Sequence, residues 1–402
     1  MSVRSVLYLD NNASTPLATP VLEAMVKCAR CQHANPASPH QLGRKARHVV
    51  ERVREEILAD LGGMLSGTTP DRLIFTSGAT EANNLAVRGM GRKGPVILSS
   101  VEHPSVERVG QFLIQEGTEV RWLSVNSDGL ISLDQLEFFL RQGASLVSVI
   151  WANHETGVCQ SMAKIGDLCR QYNIPLHTDA TQIIAKKKID LREIAVDALT
   201  FSSHKFHGPK GIGCLFVRGN VPLDPLVYGG FQQAGIRPGT ESPVLVEGLW
   251  AAWKWAQGQR EQAVPPLAAM RDCLENRLLA AFPHIVFHGC RVERSPQTSC
   301  FSLEGLDRQV LLMALDQKGI ACSTGAACES GAAQRSATLG AMGCETSLLE
   351  AAIRLSVGYL NTPDEIDDAA DRIINCINNL QRPSSLVSTA IPARREGSKM
   401  VD

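Results

Sequence analysis

Apolar and polar residues alternate along the first two thirds of the chain in a pattern that predicts an α/β fold. Short apolar runs, typical of buried strands, are separated by longer stretches with a helical pattern. The predicted strands lie at 73–76, 95–100, 120–125, 145–151, 173–176, 196–201 and 212–217. This alternation favours a largely parallel sheet covered by helices on both faces. We expect the last run, 212–217, to form a hairpin with the strand before it.

The pattern changes after about residue 255 to one typical of a smaller α+β domain. Helices are predicted from residue 20, at 43–61 and from residue 79 in the first part, and at 261–281, 307–318 and 363–380 in the second, with short strands at 285–287 and 299–302. The chain therefore predicts a large domain of residues 16–257 and a small domain of residues 1–15 and 258–381. The remaining residues, 382–402, are rich in Ser, Pro, Arg and Lys without periodicity, and we expect a flexible tail.

Composition and charge exclude several classes of protein. The 402 residues are 44% hydrophobic and 20% charged, with a net charge of −1, as in ordinary globular proteins. Such a balance does not favour binding to nucleic acid or to an acidic membrane surface. The N-terminus lacks the apolar core of a signal peptide, so we expect a cytoplasmic protein with reduced cysteines. Cys28 and Cys31 form a C-x-x-C without a second pair, and no metal site is expected.

Two polar clusters follow predicted strands and suggest cofactor chemistry. The first is His177-Thr178-Asp179-Ala180-Thr181-Gln182, and the second is Ser202-Ser203-His204-Lys205. Open α/β sheets bind ligands at the carboxyl ends of their strands. A lysine that forms a Schiff base with pyridoxal 5′-phosphate (PLP) needs an acidic partner for the pyridinium nitrogen, and Asp179 has the right type and order. The alternative is a solvated Lys205 and an Asp179 that caps a helix.

Two further segments fit the same chemistry. Residues 76–83 bridge a strand and a helix, where small residues would let backbone N–H groups approach a phosphate. Simple helix capping by Thr76 or Ser77 is the alternative. The pair Glu102-His103 follows another predicted strand, and an imidazole there could stack on the pyridine ring and carry protons. A structural role for His103 is the other interpretation.

Taken together, these motifs resemble the class V aminotransferase-like PLP enzymes and, among them, the group I cysteine desulfurases of the NifS/IscS type. The resemblance extends from Tyr8 to about Leu380. It rests on nine segments in the family order: Leu9-Asp10-Asn11-Asn12-Ala13, Asn35-Pro36 with Ser38 and His40, Ser77-Gly78-Ala79-Thr80-Glu81, Glu102-His103, Asn153-His154-Glu155-Thr156-Gly157, Asp179-Ala180-Thr181-Gln182, Ser202-Ser203-His204-Lys205, Arg237-Pro238-Gly239-Thr240-Glu241 and Ile353-Arg354-Leu355-Ser356.

The resemblance implies the PLP-dependent transferase fold type I, with a mostly parallel seven-stranded sheet and a small α+β domain. It also implies PLP as cofactor and a role for each matched residue. Lys205 would be the Schiff-base lysine and general base, and His103 would lie on the ring face. The other cofactor contacts implied are Asp179 at the pyridinium nitrogen, Gln182 and Asn153 on the ring-oxygen side, and Ala79, Thr80, Ser202 and His204 at the phosphate.

The remaining implied roles concern the partner subunit and the substrate. Thr240 would reach the phosphate of the partner subunit, which implies a homodimer with composite sites. Arg354 would pair with the carboxylate of L-cysteine, assisted by Asn35. Cys328 lies in Cys322-Ser323-Thr324-Gly325-Ala326-Ala327-Cys328-Glu329, a segment of small residues in which we expect a mobile loop. Cys328 resembles the desulfurase cysteine that receives sulfur as a persulfide. This reaction requires a thiolate as the nucleophile.

The implied function is conversion of L-cysteine to L-alanine, with delivery of sulfur from Cys328 to an acceptor protein such as an iron–sulfur scaffold. Cys328 would contact the iron–sulfur cluster only during that transfer. A buried, inert cysteine is the alternative, and Cys322 fits it better. Selenocysteine lyase, a PLP aminotransferase-like enzyme with another amino-acid substrate, and a non-catalytic sulfur-relay partner are the rival functions.

One segment departs from the family pattern. Where the family shows Gly-Gly-Gly-Gln-Glu-Arg-Gly, this chain has Gly229-Gly230-Phe231-Gln232-Gln233-Ala234-Gly235. An ion-pairing Glu-Arg has become Gln-Ala, and Phe231 replaces a small residue. We expect altered dimer contacts, an altered approach to the site and an altered set of partners.

Overall fold

The computed structural model describes residues 6–91, 94–263, 266–325 and 335–381. Its central feature is a sheet that has seven strands within these residues, in the order β2-β8-β7-β6-β5-β3-β4. Strand β8 is antiparallel to both neighbours, and the other six strands run parallel to one another. The strands are β2 Arg72–Thr76, β3 Val96–Ser99, β4 Val120–Leu123, β5 Leu146–Ser148, β6 Leu176–Asp179, β7 Ala198–Ser202 and β8 Gly213–Val217.

Helices cover both faces of this sheet, and their apolar faces form two cores. One core contains side chains of β2, α2, α6 and α7, and the other lies under α3 and α4. The helices are α1 Thr19–Cys31, α2 Gln41–Asp60, α3 Ala79–Met90, α4 Pro104–Gln115, α5 Leu133–Arg141, α6 Met162–Gln171 and α7 Pro243–Gln262. The predicted α/β class and the mostly parallel seven-stranded sheet are confirmed.

A second group of elements builds its own core from the C-terminal part of the chain and the first strand. Leu7 and Leu9 pack in this core, and β1 Leu7–Tyr8 pairs with β11 Ile320–Ala321. The other elements are β9 Val286–Phe287, β10 Thr298–Ser302 and β12 Ala352–Ser356, with helices α8 Leu267–Ala281, α9 Arg308–Gln317, α10 Ala337–Ala341, α11 Thr346–Glu350 and α12 Pro363–Gln381. The predicted tail, 382–402, and Cys328 lie outside the described residues.

The prediction of a single helix at 261–281 is wrong. Helix α7 extends to Gln262, and α8 begins only at Leu267 with Pro266 as its N-cap. The sequence carries Pro265-Pro266 here, and proline lacks the N–H that a continuous helix needs. The boundary predicted at residue 257 therefore falls inside α7.

The prediction of a strand at 173–176 is also wrong in its bounds. The observed strand lies further along the chain, because it includes the polar residues that follow this apolar run. Strand β6 contains His177 and Thr178 and ends at Asp179. These side chains are buried but satisfied. His177 contacts the hydroxyls of Ser148 at 2.8 Å and Thr200 at 3.0 Å, and Thr178 donates to a backbone carbonyl. Buried polar groups with such partners carry little penalty, so polarity alone does not end a strand.

Among the helices of the described residues, none combines the length and the apolar composition that crossing a bilayer requires.

Candidate active site

A cavity of about 470 Å³ lies where β6 and β7 end and α3 begins. The register of β6 and β7, with Asp179 opposite Thr200, brings the two strand ends together. Eight of the residues predicted to bind the cofactor line this cavity: Ala79, Thr80, His103, Asp179, Gln182, Ser202, His204 and Lys205. The structure thus brings together segments that are more than a hundred residues apart in the chain.

Asp179 is a buried carboxylate whose orientation is fixed by both of its oxygens. Oδ2 accepts a hydrogen bond from Asn83 Nδ2 at 2.7 Å, and Oδ1 accepts one from the backbone N–H of Thr181 at 2.9 Å. Asn83 is itself buried on α3 and donates to Ser105 Oγ at 2.8 Å. The carboxylate is therefore held rigidly at the cavity wall, as a partner for a ring nitrogen must be.

Lys205 ends a single 3-10 turn that follows β7 and is half-buried. Its Nζ donates to the backbone carbonyls of Asn12 at 2.5 Å and Ala13 at 2.9 Å. The N-terminal turn after β1 thus lies against this ammonium group and forms part of the cavity wall. The amine is presented at the same cavity as Asp179.

The N-terminus of α3 also lies at the cavity, where the N–H of Ser77 already donates to Glu81 Oε2 at 2.6 Å. Ser77, Gly78, Ala79 and Thr80 line it. Gly213 on β8 allows the chain to approach here, because a Cβ at this position would lie 2.6 Å from the carbonyl carbon of Gly78. The first N–H groups of a helix lack partners within the helix, and a helix N-terminus therefore favours an anion such as a phosphate.

Three imidazoles surround the cavity, and each has a lowered pKa. Burial is the main cause of the lowered pKa of His103, which the charge of Asp179 partly offsets. Burial also lowers the pKa of His154, and it lowers the pKa of His204 to about 4 with help from the nearby Lys205. The rings of His103 and His154 meet edge to face with centroids 5.1 Å apart. A lowered pKa favours the neutral form of each imidazole, which can stack on an aromatic ring without placing a charge in the cavity.

Four predicted residues do not line the cavity. Arg354 is buried on β12, close enough that its charge lowers the pKa of His103. Asn153 is buried with its amide fully engaged, donating to Val101 and Thr338 and accepting from Glu155 and Thr156. Asn35 and Thr240 are exposed. The roles predicted for these four stay predictions.

The comparisons with known proteins identify the family. The aminotransferase class V model matches residues 7–368.

The chain belongs to the aminotransferase class V family.

Its relatives include proteins named as cysteine desulfurases and solved structures of NifS-like proteins. The cysteine desulfurase IscS of Methanosarcina thermophila is 33% identical over 385 residues, 94% of each chain. The solved NifS-like protein of Rickettsia africae superposes with a TM-score of 0.85 at 29% identity, covering 93% of this chain and 99% of that one. The structure of SspA in complex with cysteine matches with a TM-score of 0.76 at 31% identity, covering 88% and 99%. The predicted resemblance is confirmed.

Class V aminotransferases and cysteine desulfurases depend on PLP, which confirms the predicted cofactor. The cavity fits this group. Gln182 Oε1 and Thr181 Oγ1 are buried at its wall with no hydrogen-bond partner among the described residues. Buried polar atoms without partners are rare unless a ligand or water satisfies them. A carboxylate, an amine and a helix N-terminus around one cavity match the ring nitrogen, the aldehyde and the phosphate of PLP.

Several residues at this site were given no role from the sequence, although they lie within the quoted segments. Asn83 holds Asp179, and the carbonyls of Asn12 and Ala13 hold Lys205. His154 lines the cavity, and Asp10 pairs with Arg354. Asn83 could have been found, because it lies four residues after Ala79 and such residues share one face of a helix. The backbone carbonyls carry no signal in the sequence.

The segment that departs from the family pattern is anchored by the changed residue itself. Gln233 lies on the edge of β2, where its Oε1 accepts from Phe75 N at 2.7 Å and its Nε2 donates to Phe75 O at 2.8 Å. A glutamate could not make the second bond, because an ionised carboxylate only accepts. Gln233 and Ala234 have φ angles of 50° and 56°, in the left-handed region. The two amide hydrogen bonds help to hold the backbone in this left-handed conformation. Phe231, in the same segment, is 96% exposed.

A glutamate next to the site should make stability depend on pH. Burial raises the pKa of Glu102 from 4.5 to about 8, although its Oε1 accepts from Ser99 Oγ and Ile150 N at 2.6 Å each. Between about pH 5 and pH 8 the unfolded chain loses this proton while the folded protein keeps it. The wild type should therefore lose up to about 4 kcal/mol relative to Glu102→Gln as the pH rises.

Melting temperatures of wild type and Glu102→Gln, measured side by side across this pH range, check the prediction. The stability of the wild type relative to the variant should fall with rising pH and level off above about pH 8. A difference that stays constant, or that grows in favour of the wild type, would contradict a protonated Glu102.

Proposed function

We propose that this protein is a cysteine desulfurase that converts L-cysteine to L-alanine and transfers the sulfur to Cys328 as a persulfide. The observation that carries the proposal is the placement of Asp179 and Lys205 at one cavity that ends at the N-terminus of α3. Similarity to cysteine desulfurases over 94% of the chain supports this substrate.

The residues that would hold PLP follow from the cavity. Lys205 would bond to its aldehyde carbon, Asp179 would bind its ring nitrogen, and His103 would cover its ring. The other contacts proposed from the cavity are Gln182 on the ring-oxygen side, with Ala79, Thr80, Ser202 and His204 at the phosphate. Asn153 does not line the cavity, and its contact on the ring-oxygen side is proposed from the family resemblance alone. When bound, PLP supplies an electron-accepting ring that stabilises negative charge at the substrate Cα.

Each step of the reaction uses a group of the chain. Arg354 binds the carboxylate of L-cysteine through parallel N–H groups, assisted by Asn35. The unprotonated amine of Lys205 takes the α-proton as general base. The Cys328 thiolate then attacks the substrate sulfur, and the bond between that sulfur and the substrate Cβ breaks with its electron pair remaining on the carbon side. Protonation at Cβ and return of the α-proton from Lys205 to Cα complete L-alanine. L-cysteine and one thiol thus give L-alanine and one persulfide, with no outside oxidant or reductant.

We also propose a homodimer in which Thr240 of each subunit reaches the phosphate of the other. The exposed position of Thr240 is compatible with this role. The two groups of elements would act as the predicted large and small domains, with β1 joining the small one. The persulfide would pass to an acceptor protein such as an iron–sulfur scaffold. The cytoplasmic location stays a prediction.

A product analysis tests the proposed activity. PLP-loaded protein is incubated with L-cysteine and a reductant, and alanine and sulfide are measured in the same samples. Equal amounts of the two products are expected. A keto acid in place of alanine, together with accumulation of pyridoxamine phosphate, would instead indicate an aminotransferase. Much faster turnover of selenocysteine than of cysteine would indicate a selenocysteine lyase.

A further inference from the structure

The cation proposed to bind the substrate carboxylate already has a counter-ion within the chain. Arg354 Nη2 donates to Asp10 Oδ1 at 2.8 Å, and Arg354 Nη1 donates to the backbone carbonyl of His154 at 3.0 Å. The side chain of Arg354 is 4% exposed and that of Asp10 is 20% exposed. Because water is largely excluded, the two charges interact more strongly than a surface pair does.

Arg354 nevertheless keeps one edge, formed by Nε and Nη2, of which only Nη2 donates to Asp10. Its Nε is buried and has no hydrogen-bond partner among the described residues. The Nε and Nη2 groups of a guanidinium form a parallel pair of donors that matches a carboxylate. Arg354 does not line the cavity, but this edge lies near it, because Nη1 of the same guanidinium donates to the backbone carbonyl of His154, which does line the cavity.

A carboxylate that docks at this edge shares one guanidinium with Asp10. Two carboxylates on a single buried cation repel each other, so the second binds more weakly than it would to an unpaired Arg354. The Asp10 side chain therefore has opposite effects in the two states of the site. It compensates the buried charge when the site is empty, and it opposes the ligand when the site is filled.

We propose that Asp10 is the residue that sets the affinity of this site for amino-acid carboxylates, by holding Arg354 in position while limiting how tightly a second carboxylate binds. This rests on the proposed function, in which Arg354 receives an amino-acid carboxylate. The repulsion lets the product L-alanine leave and keeps the KM for L-cysteine high. Asp10 acts through Arg354, and it is a positioning residue rather than a catalytic one.

The variant Asp10→Asn separates charge from geometry. The asparagine Oδ1 still accepts the hydrogen bond from Nη2, while the negative charge is removed. Binding is measured from the absorbance of the PLP-loaded protein during titration with L-alanine, and in parallel with L-alaninamide, which lacks the carboxylate. We expect the Kd for L-alanine to fall about tenfold and the Kd for L-alaninamide to stay unchanged.

The controls make each outcome decisive. Asp128→Asn removes the carboxylate of another pair, with Arg291, and should change neither titration. The proposal would be overturned by an unchanged or higher Kd for L-alanine in Asp10→Asn, or by an equal shift in the Kd for L-alaninamide. It would also be overturned if no variant responds to L-alanine. Asp10→Ser, a smaller neutral residue, replaces Asp10→Asn if that variant does not fold. The titrations need no desulfuration. A protein that is inactive on L-cysteine would therefore refute the proposed function without deciding the proposal about Asp10.

Discussion

Lys205→Ala should abolish the release of alanine and sulfide from L-cysteine, with a loss of about 10⁴-fold or more in kcat. The variant removes both the amine that bonds to PLP and the base that takes the α-proton, and no other amine is held at this point by the carbonyls of Asn12 and Ala13 among the described residues. Product assays and the visible absorbance of the cofactor measure the two losses separately.

Two further variants distinguish chemistry from charge and from folding. Lys205→Arg keeps a positive group that can donate to the same carbonyls, but a guanidinium stays protonated and cannot act as the base. It should be as inactive as Lys205→Ala. Lys187→Ala, which removes an exposed lysine paired with Glu293, should keep full activity. An active Lys205→Arg would show that only the charge of Lys205 matters and would contradict the assignment.

Cys328→Ser should stop sulfur transfer while PLP remains bound. A hydroxyl is neither as acidic nor as nucleophilic as a thiol, so the substrate sulfur has no acceptor. Sulfide release from L-cysteine should fall below about 1% of the wild-type rate. The visible spectrum of the bound cofactor should stay unchanged, because no cofactor contact is proposed for Cys328. Sulfide release close to the wild-type rate would exclude Cys328 as the acceptor.

Cys322→Ser is the matched control for this variant. Burial, with the nearby Asp10 contributing, raises the pKa of the Cys322 thiol to about 12. Cys322 is therefore protonated at neutral pH and a poor nucleophile. The two cysteines are six residues apart in the chain, so the pair compares acceptors in the same region. Cys322→Ser should keep full activity.

The sheet was predictable because its strands are short apolar runs, and the run at 212–217 paired as expected with the strand before Lys205. Polar residues with buried partners misled the prediction, as at His177, whose hydroxyl partners come from two other strands. The helix break after Gln262 was missed although Pro265-Pro266 marks it. Local pattern thus located the elements better than it located their ends.

The candidate site was predictable where a motif carries side-chain chemistry, as for Asp179, Lys205 and the residues at the start of α3. The remaining parts depend on folding. The carbonyls of Asn12 and Ala13 have no side-chain signature, and the pairing of Asp10 with Arg354 joins residues 344 positions apart. Such contacts arise from the position of β1 beside β11 and β12, which periodicity alone does not predict.

A single-turnover experiment tests the central claim most directly. PLP-loaded protein is mixed with L-cysteine without reductant, quenched, and analysed for free alanine and, by peptide mass spectrometry, for added sulfur on each cysteine. The account predicts one alanine per active site and one extra sulfur atom on the peptide that contains Cys328. Alanine without sulfur on that peptide, or sulfur on another cysteine in Cys328→Ser at the wild-type rate, would contradict it.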